Sequence, residues 1–220
     1  MFKESSYNLL EQTLFSGIEQ EALSNILSLY PLSYKTYERG QIIINQGDFL
    51  RDIKCIVEGD ILCIKLHYSG DTNLLKLLGR GDFIGLEAVS STFHTIPYMA
   101  EANNFCILAS FPYESFLASD QLDDRTKLFV LKNAIRILSD DNIRSMYKID
   151  VLSQRMLRDR ILAYLSIICE KRSKREINLG MTQEQFSDYL CVNRTVLTKE
   201  LNQMRKEGII DYKGKKYILL

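Results

Sequence analysis

The sequence predicts an α+β protein: an N-terminal double-stranded β-helix (a jelly-roll-like β-roll), then a long helix, then a C-terminal winged helix-turn-helix. Three observations predict this order in the 220 residues. Short apolar stretches separated by glycine-rich turns occupy the first half, and residues 122–172 contain neither glycine nor proline. The last forty residues carry two short helical patterns followed by a hairpin pattern.

The β-roll is predicted from strands that are short and closely spaced. Glycine followed by aspartate recurs four times between them; glycine accepts a positive φ and aspartate hydrogen-bonds to the neighbouring backbone, so each pair predicts a turn. Within one strand, alternation places Leu62, Ile64 and Leu66 inward and Cys63, Lys65 and His67 outward. A helical segment from Tyr7 to Tyr30, interrupted at Leu14–Ile18, precedes the strands. The predicted strands are Ser33–Tyr37, Gln41–Asn45, Ile53–Glu58, Ile61–Tyr68, Thr72–Leu78, Tyr98–Ala102 and Phe105–Ser110.

A heptad pattern marks the long helix. Apolar residues recur at alternating spacings of three and four, and the register continues through Asn142, Ser145, Ile149 and Leu152. An asparagine at an a-type position commonly limits a coiled coil to two strands. We therefore predict a dimer interface, although the same stripe can also pack on its own β-roll. The predicted interface residues are Leu128, Leu131, Ile135, Leu138 and Asn142. We expect the helix to break near Tyr147–Ser153, with a hinge around Asp150, and a further helix over Ser153–Glu170.

The C-terminal pattern is that of a helix-turn-helix with a wing. Thr182 and Gln185 have the spacing of a capping box, and Asn193 is suited to cap the second helix. Gly208 ends that helix, and Lys213-Gly214-Lys215 forms the turn of a hairpin. The second helix is expected to turn Val196, Leu197, Leu201 and Met204 inward, and Arg194, Thr195, Thr198, Lys199 and Asn202 outward.

Such an outward face suits the major groove of DNA. Arginine or lysine donates to guanine O6 and N7, threonine can contact a base edge or a thymine methyl, and wing lysines (Lys213, Lys215 and Lys216) can contact phosphate. The alternative is a helical hairpin packed in a larger core with solvated charges outside. The predicted DNA-binding residues are Arg194, Thr195, Thr198, Lys199, Asn202, Thr182, Asn193, Lys213 and Lys215.

Charge is unevenly distributed although the net charge is zero. Residues 1–147 carry 13 Lys and Arg against 19 Asp and Glu, whereas residues 148–220 carry 15 against 9. A basic C-terminal third is typical of a nucleic-acid-binding module. We expect a cytoplasmic protein without membrane association, because no apolar run is long enough to span a bilayer and the N-terminus lacks a secretory signal. The five scattered cysteines favour reduced thiols over disulfides or a zinc site.

Taken together, the sequence resembles the Crp/Fnr superfamily of bacterial transcription regulators over essentially its whole length. The matching segments are Leu14-Phe15-x-Gly17-Ile18, Tyr37-x-x-Gly40-Gln41-x-Ile43, Gln46-Gly47-Asp48, Ile56-Val57-Glu58-Gly59-Asp60-Ile61, Gly81-Asp82-Phe83-Ile84-Gly85, Arg160-Ile161-Leu162, Thr182 to Phe186, Val192-Asn193-Arg194, Leu201 and Gly208-Ile209-Ile210.

The resemblance implies a non-enzymatic homodimer that binds a near-palindromic operator on double-stranded DNA, with RNA polymerase as a candidate partner. It implies an effector-sensing β-roll with N-terminal helices over 1–120, a dimerisation helix over 121–149 and a DNA-binding domain over 150–220. The chain departs from the family pattern in the base-contacting stretch. Many members have Glu where this chain has Thr195 and Arg where it has Lys199, so the usual half-site is not expected.

The effector is a small molecule or a redox signal that the sequence does not identify. The resemblance places its pocket at Gly85, Leu86 and Glu87, but Ser90–Ala102 contains no Arg or Lys to neutralise a cyclic phosphate, which argues against cyclic AMP. No clustered N-terminal cysteines suggest an iron–sulfur centre, since the first is Cys55.

Haem is not favoured either, because His67 and His94 are poorly placed as ligands. Two other functions stay open at this point. A cyclic-nucleotide-type sensor acting on a protein partner would need the phosphate arginine that is missing. A cupin-type enzyme would need about three histidines, and the chain has 2.

Overall fold

The computed structural model describes residue 10 and residues 13–220. The part of the predicted N-terminal helix that precedes residue 10 lies outside the described residues. The helices are α1 (Gln20–Leu29), α2 (Leu86–Val89), α3 (Tyr113–Leu117), α4 (Asp124–Ser153), α5 (Leu157–Arg172), α6 (Gln183–Tyr189) and α7 (Arg194–Lys206). The strands are β1 (Ser33–Tyr37), β2 (Ile42–Ile44), β3 (Ile53–Glu58), β4 (Ile61–Leu66), β5 (Thr72–Leu78), β6 (Phe83–Ile84), β7 (Met99–Ala102), β8 (Cys106–Phe111), β9 (Glu176–Asn178), β10 (Ile210–Lys213) and β11 (Lys216–Leu219).

The chain divides into two compact units. The first contains the chain up to Asp71 together with Leu75–Asp140, and the second contains Thr72–Leu74 and Asp141–Leu220. The predicted division into 1–120, 121–149 and 150–220 instead treats the long helix as a segment of its own, and it stays a prediction.

The first unit contains the predicted β-roll, and the fold class is confirmed. One four-stranded sheet has the order β1-β8-β3-β6, and the other has the order β2-β7-β4-β5. Apolar residues of both sheets, such as Ile56 and Leu108 from one and Ile61 and Ala100 from the other, form a single buried cluster. The β3–β4 turn requires glycine, because Gly59 has a φ of 89° and an added Cβ would lie 2.3 Å from the carbonyl oxygen of Phe105.

Burial along β4 does not follow the predicted alternation, because Leu62, expected inward, and Cys63, expected outward, are both buried. Ile61 and Cys63 are fully buried in the core, whereas Leu66, expected inward, is 49% exposed. The alternation of Ile64, Lys65 and Leu66 was misleading because the strand leaves the core at its C-terminal end.

A second cluster joins the outer face of one sheet to α1, α3 and the first half of α4. From α4, Val130, Ala134 and Asn133 face inward and are buried. The Asn133 amide donates to the carbonyl oxygens of Leu14 and Ser16 at 3.0 and 2.8 Å. These two hydrogen bonds satisfy a buried polar side chain and attach the helix to the segment before α1.

The long helix is continuous over 30 residues, about 45 Å at 1.5 Å per residue. The helix ends at Ser153, the last residue of the range in which a break is predicted, and residues 154–156 form the break itself. Arg160 stabilises this break by donating from Nε to the carbonyl oxygen of Gln154 at 2.9 Å.

The second unit contains a helix-turn-helix and a small sheet of order β10-β11-β9. Leu197, Leu201 and Met204 of α7 are fully buried, which positions that helix against the rest of the unit. Strand β9, absent from the sequence-based prediction, pairs Ile177 with Tyr217. Within the part of the chain that the structure describes, no helix is both long enough and apolar enough to cross a membrane.

Candidate nucleic-acid interface

The two helices of the motif begin where the sequence predicts. The Thr182 hydroxyl accepts from the Gln185 amide at 3.2 Å, and the Gln185 side chain accepts from the Thr182 amide at 2.9 Å, which completes the capping box. Asn193 caps α7 by accepting from the Thr195 amide at 2.8 Å. The turn between the helices contains Cys191 with a φ of 55°. Thr182 and Asn193 therefore both have a structural role as helix caps, independent of any contact with DNA.

The exposed face of α7 carries most of the predicted base-contacting residues. Arg194, Thr195, Lys199 and Asn202 are exposed, and Thr198 is half-buried. Positions 195, 199 and 202 are one turn apart and form a single row. Val196, predicted inward, is instead 52% exposed beside this row. Its apolar character suggested burial, but residues 197, 201 and 204 already fill the inward face.

Two of the predicted base-contacting side chains on α7 also make hydrogen bonds within the protein. The Thr198 hydroxyl donates to the carbonyl oxygen of Arg194 at 2.9 Å, so it can offer an outside partner its oxygen lone pairs and its methyl group. The Asn202 side-chain oxygen accepts from the Tyr212 hydroxyl at 3.0 Å. This second bond connects α7 to strand β10 of the wing.

The wing presents three exposed lysines that differ in their contacts. Lys213 is exposed at the end of β10. Lys215 donates to the carbonyl oxygen of Gly180 at 2.9 Å. Lys216 lies 3.4 Å from a Glu176 carboxylate oxygen, so its charge is partly compensated by a residue of β9. Exposed lysine side chains of this kind can contact phosphate.

An arginine that the sequence did not single out for the site holds α7 in place. Arg158 of α5 donates from Nε to Glu200 at 2.7 Å and from Nη1 and Nη2 to the two carboxylate oxygens of Glu207 at 2.7 and 3.2 Å. Hydrogen bonds with Glu200 and then Glu207 raise the pKa of Arg158, and those from Gln203 and then Arg158 lower the pKa of Glu207. The contact was not predictable because the partners lie more than forty positions apart in sequence.

The predicted effector residues lie in the β-roll at the start of α2. Gly85 has a φ of 88° and caps that helix, Leu86 is buried, and Glu87 is half-buried. The Glu87 carboxylate accepts from the Tyr98 hydroxyl and lies 3.6 Å from the Lys76 ammonium. Lys76 lies on β5 and Tyr98 lies immediately before β7, and no local motif marked either residue.

The predicted dimer residues divide between two faces of α4. Leu128 and Ile135 are 64% and 63% exposed, and Asn142 is exposed. Leu131 is half-buried, and Leu138 packs against the core of the first unit. The helix therefore keeps one apolar side on its own β-roll and leaves another side uncovered.

Other chemistry-bearing residues are dispersed. Among the described residues, no three His, Cys, Asp or Glu side chains lie together as metal ligands would. Cys55, Cys63 and Cys106 are buried, and Cys191 is exposed. Burial raises the pKa of the Cys55 thiol to about 12, which disfavours the reactive thiolate form at neutral pH.

A β-roll followed by a helix-turn-helix with a basic wing defines the class of winged-helix DNA-binding proteins. The chain matches the model of the cyclic nucleotide-binding domain at residues 34–119 and that of the Crp-like helix-turn-helix domain at residues 159–220. Together these matches span about two thirds of the chain. The chain belongs to the Crp/Fnr superfamily of transcription regulators.

Its relatives are regulators and not enzymes. It is similar to the fumarate and nitrate reduction regulatory protein of Vibrio cholerae, with 27% identity over 193 residues that cover 84% of this chain and 74% of the relative. It is 24% identical to the protein of the same name from Escherichia coli over 204 residues, 90% of this chain and 77% of that one.

Solved structures support the fold. FixK2 from Bradyrhizobium japonicum gives a TM-score of 0.68 at 16% identity, covering 86% of this chain and 92% of that one. The regulator CLP from Xanthomonas campestris gives a TM-score of 0.74 at 16% identity, covering 91% of this chain and 99% of that one.

Proposed function

We propose that this transcription regulator binds as a homodimer to a near-palindromic operator on double-stranded DNA and responds to an effector in its β-roll. The observation that carries the proposal is the exposed row of Thr195, Lys199 and Asn202 on α7, flanked by the basic wing. Donors on the N-terminal half of a helix fit base edges in the major groove, while wing cations fit phosphate. RNA polymerase remains the predicted protein partner.

The uncovered side of α4 supports the homodimer. Leu128, Ile135 and Ile149 are 64%, 63% and 68% exposed, and with Asn142 they repeat every seven residues. Ile143 and Met146, 47% and 61% exposed, widen the stripe. Exposed apolar side chains at heptad spacing along one helix are the pattern of a two-stranded seam. A second copy of α4 would remove them from water.

The contacts of Glu87 support an effector other than a cyclic nucleotide. A cyclic phosphate requires an uncompensated cation in a partly dry site. At this pocket Lys76 lies beside the Glu87 carboxylate, and no Arg or Lys occurs over 90–102. Addition of cyclic AMP should therefore leave the melting temperature unchanged, whereas a saturable increase would contradict this part of the proposal.

The central test is recovery of DNA bound by the full chain from fragmented genomic DNA, with and without cell extract as a source of effector. We expect one enriched, dyad-symmetric sequence with half-site centres about 34 Å apart, one helical turn. Titration at two salt concentrations should show a steep loss of affinity as salt rises. Recovery of no sequence above bulk DNA under either condition would refute the proposal.

A further inference from the structure

Val196 is an apolar side chain on the DNA-facing side of α7. It is the third residue of the helix, after Arg194 and Thr195, and 52% of it is exposed. One turn further on lies Lys199, also exposed. Val196 therefore lies on the same exposed side of α7 as the residues predicted to contact bases.

The stability of the helix does not account for a valine at this position. An exposed β-branched residue lowers helix propensity relative to alanine, because its χ1 freedom is lost. The inward face of α7 is already occupied by Leu197, Leu201 and Met204, each fully buried. The same restriction of χ1 holds the two methyl groups in one preferred orientation, so docking them against a partner costs little side-chain entropy.

We propose that Val196 recognises the C5-methyl group of a thymine in the operator half-site. Thymine is the only base that presents a methyl group in the major groove, and an aliphatic side chain is its natural contact. Residues near the N-terminus of a recognition helix are the ones that reach base edges. Arg194 and Lys199 supply hydrogen-bond donors that suit purine acceptors, and Val196 adds a position at which a T·A pair is preferred.

This inference rests on the proposed function and specifies one determinant of its sequence preference. The test uses the full-length protein and the operator recovered by enrichment. Each thymine of the half-site is replaced in turn, in both half-sites, by uracil, which lacks only the methyl group and keeps its pairing. Dissociation constants are measured for the wild type, for Val196→Ala and for Lys206→Ala, a control that changes another exposed residue of α7.

We expect uracil at one position to weaken wild-type binding about fourfold for each half-site, the value of one buried methyl group. The same uracil should not change the affinity of Val196→Ala, and Lys206→Ala should keep the full penalty. Thermal unfolding should show that both variants are folded.

Two results would overturn the inference while leaving the proposed function intact. One is that uracil at each thymine of the operator leaves the affinity of the wild-type protein unchanged, or that the half-site contains no thymine. The other is a uracil penalty that persists in Val196→Ala. Failure to enrich any DNA would instead defeat the proposed function, and this inference with it.

Discussion

Lys199 and Lys215 are both exposed cations of the second unit, but they stand in different settings. Lys199 projects from α7 beside Thr195 and Val196. Lys215 lies in the wing turn, where it donates to the carbonyl oxygen of Gly180 at 2.9 Å. The first setting suits a base edge and the second suits a phosphate, because only the first is on the recognition helix.

Substituting each lysine should separate these roles. Lys199→Ala should cost about 1–3 kcal/mol on the operator and relax the preference at one base pair. Lys215→Ala should weaken binding to all sequences alike and reduce the salt slope by about 1. Binding isotherms on operator and unrelated DNA at several salt concentrations distinguish the two. Equal effects of both substitutions on both DNAs would contradict this assignment.

Lys148 is a half-buried cation whose ammonium lies 4.1 Å from the ring centroid of Tyr189. Burial lowers its pKa from 10.5 to about 8, and the Coulomb interaction with Cys191 acts in the opposite direction. Between pH 8 and 10.5 the unfolded chain therefore binds more protons at this residue than the native state does. The free energy of unfolding should rise with pH in that window.

The prediction is tested with Lys148→Met. The stability of the wild type relative to this variant should be constant below pH 8 and should rise by roughly 1 kcal/mol per pH unit above it. Urea unfolding at pH 7 to 9.5 measures the difference. Burial raises the pKa of some tyrosines, such as Tyr217, to about 12. At higher pH these tyrosines lower the free energy of unfolding, because they ionise first in the unfolded chain.

Lys171→Met is the matched control, because Lys171 is exposed while its ammonium lies 4.0 Å from the ring centroid of Tyr147. A wild-type stability that changes in parallel with that of Lys148→Met across the whole pH range would refute the assignment to Lys148.

At the scale of elements, the attachment of α7 to α5 decides how the recognition face is presented. Arg158 bridges Glu200 near the middle of α7 and Glu207 at its C-terminal cap. Gln203 adds a hydrogen bond to Glu207 at 2.6 Å. These bonds restrain rotation of α7 about its axis, and such a rotation would move all the predicted base-contacting residues together.

Arg158→Ala should therefore reduce the ratio of operator to non-specific affinity with only a modest loss of thermal stability. Arg158→Lys should show the same reduced affinity ratio, since lysine cannot make the bidentate contact. Arg205→Ala is the control, because it removes an exposed ion pair with Asp211, at 2.8 Å, from the same helix. An affinity ratio for Arg158→Ala equal to that of the wild type would show that packing alone orients α7.

At the scale of the whole molecule, the proposed dimer would bring two copies of α7 together through α4. The uncovered apolar stripe of α4, which includes Leu128 and Ile135, also contains the exposed Asn142. A dimer seam of this kind would present the two DNA-binding units with twofold symmetry, which a near-palindromic operator matches.

Ile135→Asp should convert the dimer to a monomer, because it places a charge in the middle of the apolar seam. Operator binding should fall with it, since one half-site contact cannot supply the affinity of two. Sedimentation measures the first effect and DNA titration the second. Arg136→Asp changes an exposed neighbour outside the heptad pattern and should leave the dimer intact. An unchanged dimer in Ile135→Asp would remove this stripe from the interface.

The sequence alone predicted the order of the main elements and the position of the helix-turn-helix. Turn glycines, cap residues and apolar periodicity are local signals, so the strands at Ser33–Tyr37 and Ile53–Glu58 and the caps at Thr182 and Asn193 were predicted as observed. Very short elements, such as β6 and β9, were missed because two or three residues are too few to show a repeating pattern of apolar and polar side chains.

The tertiary structure alone decided which face of an element is buried and which distant side chains meet. Val196 is exposed because Leu197, Leu201 and Met204 already fill the inward face of α7. Cys63 is buried because the two sheets of the β-roll enclose its side chain. Arg158 with Glu207, and Lys76 with Glu87, are brought together by packing between elements far apart in the chain. Burial and long-range pairing depend on how whole elements pack, and a local pattern of residue types does not contain that information.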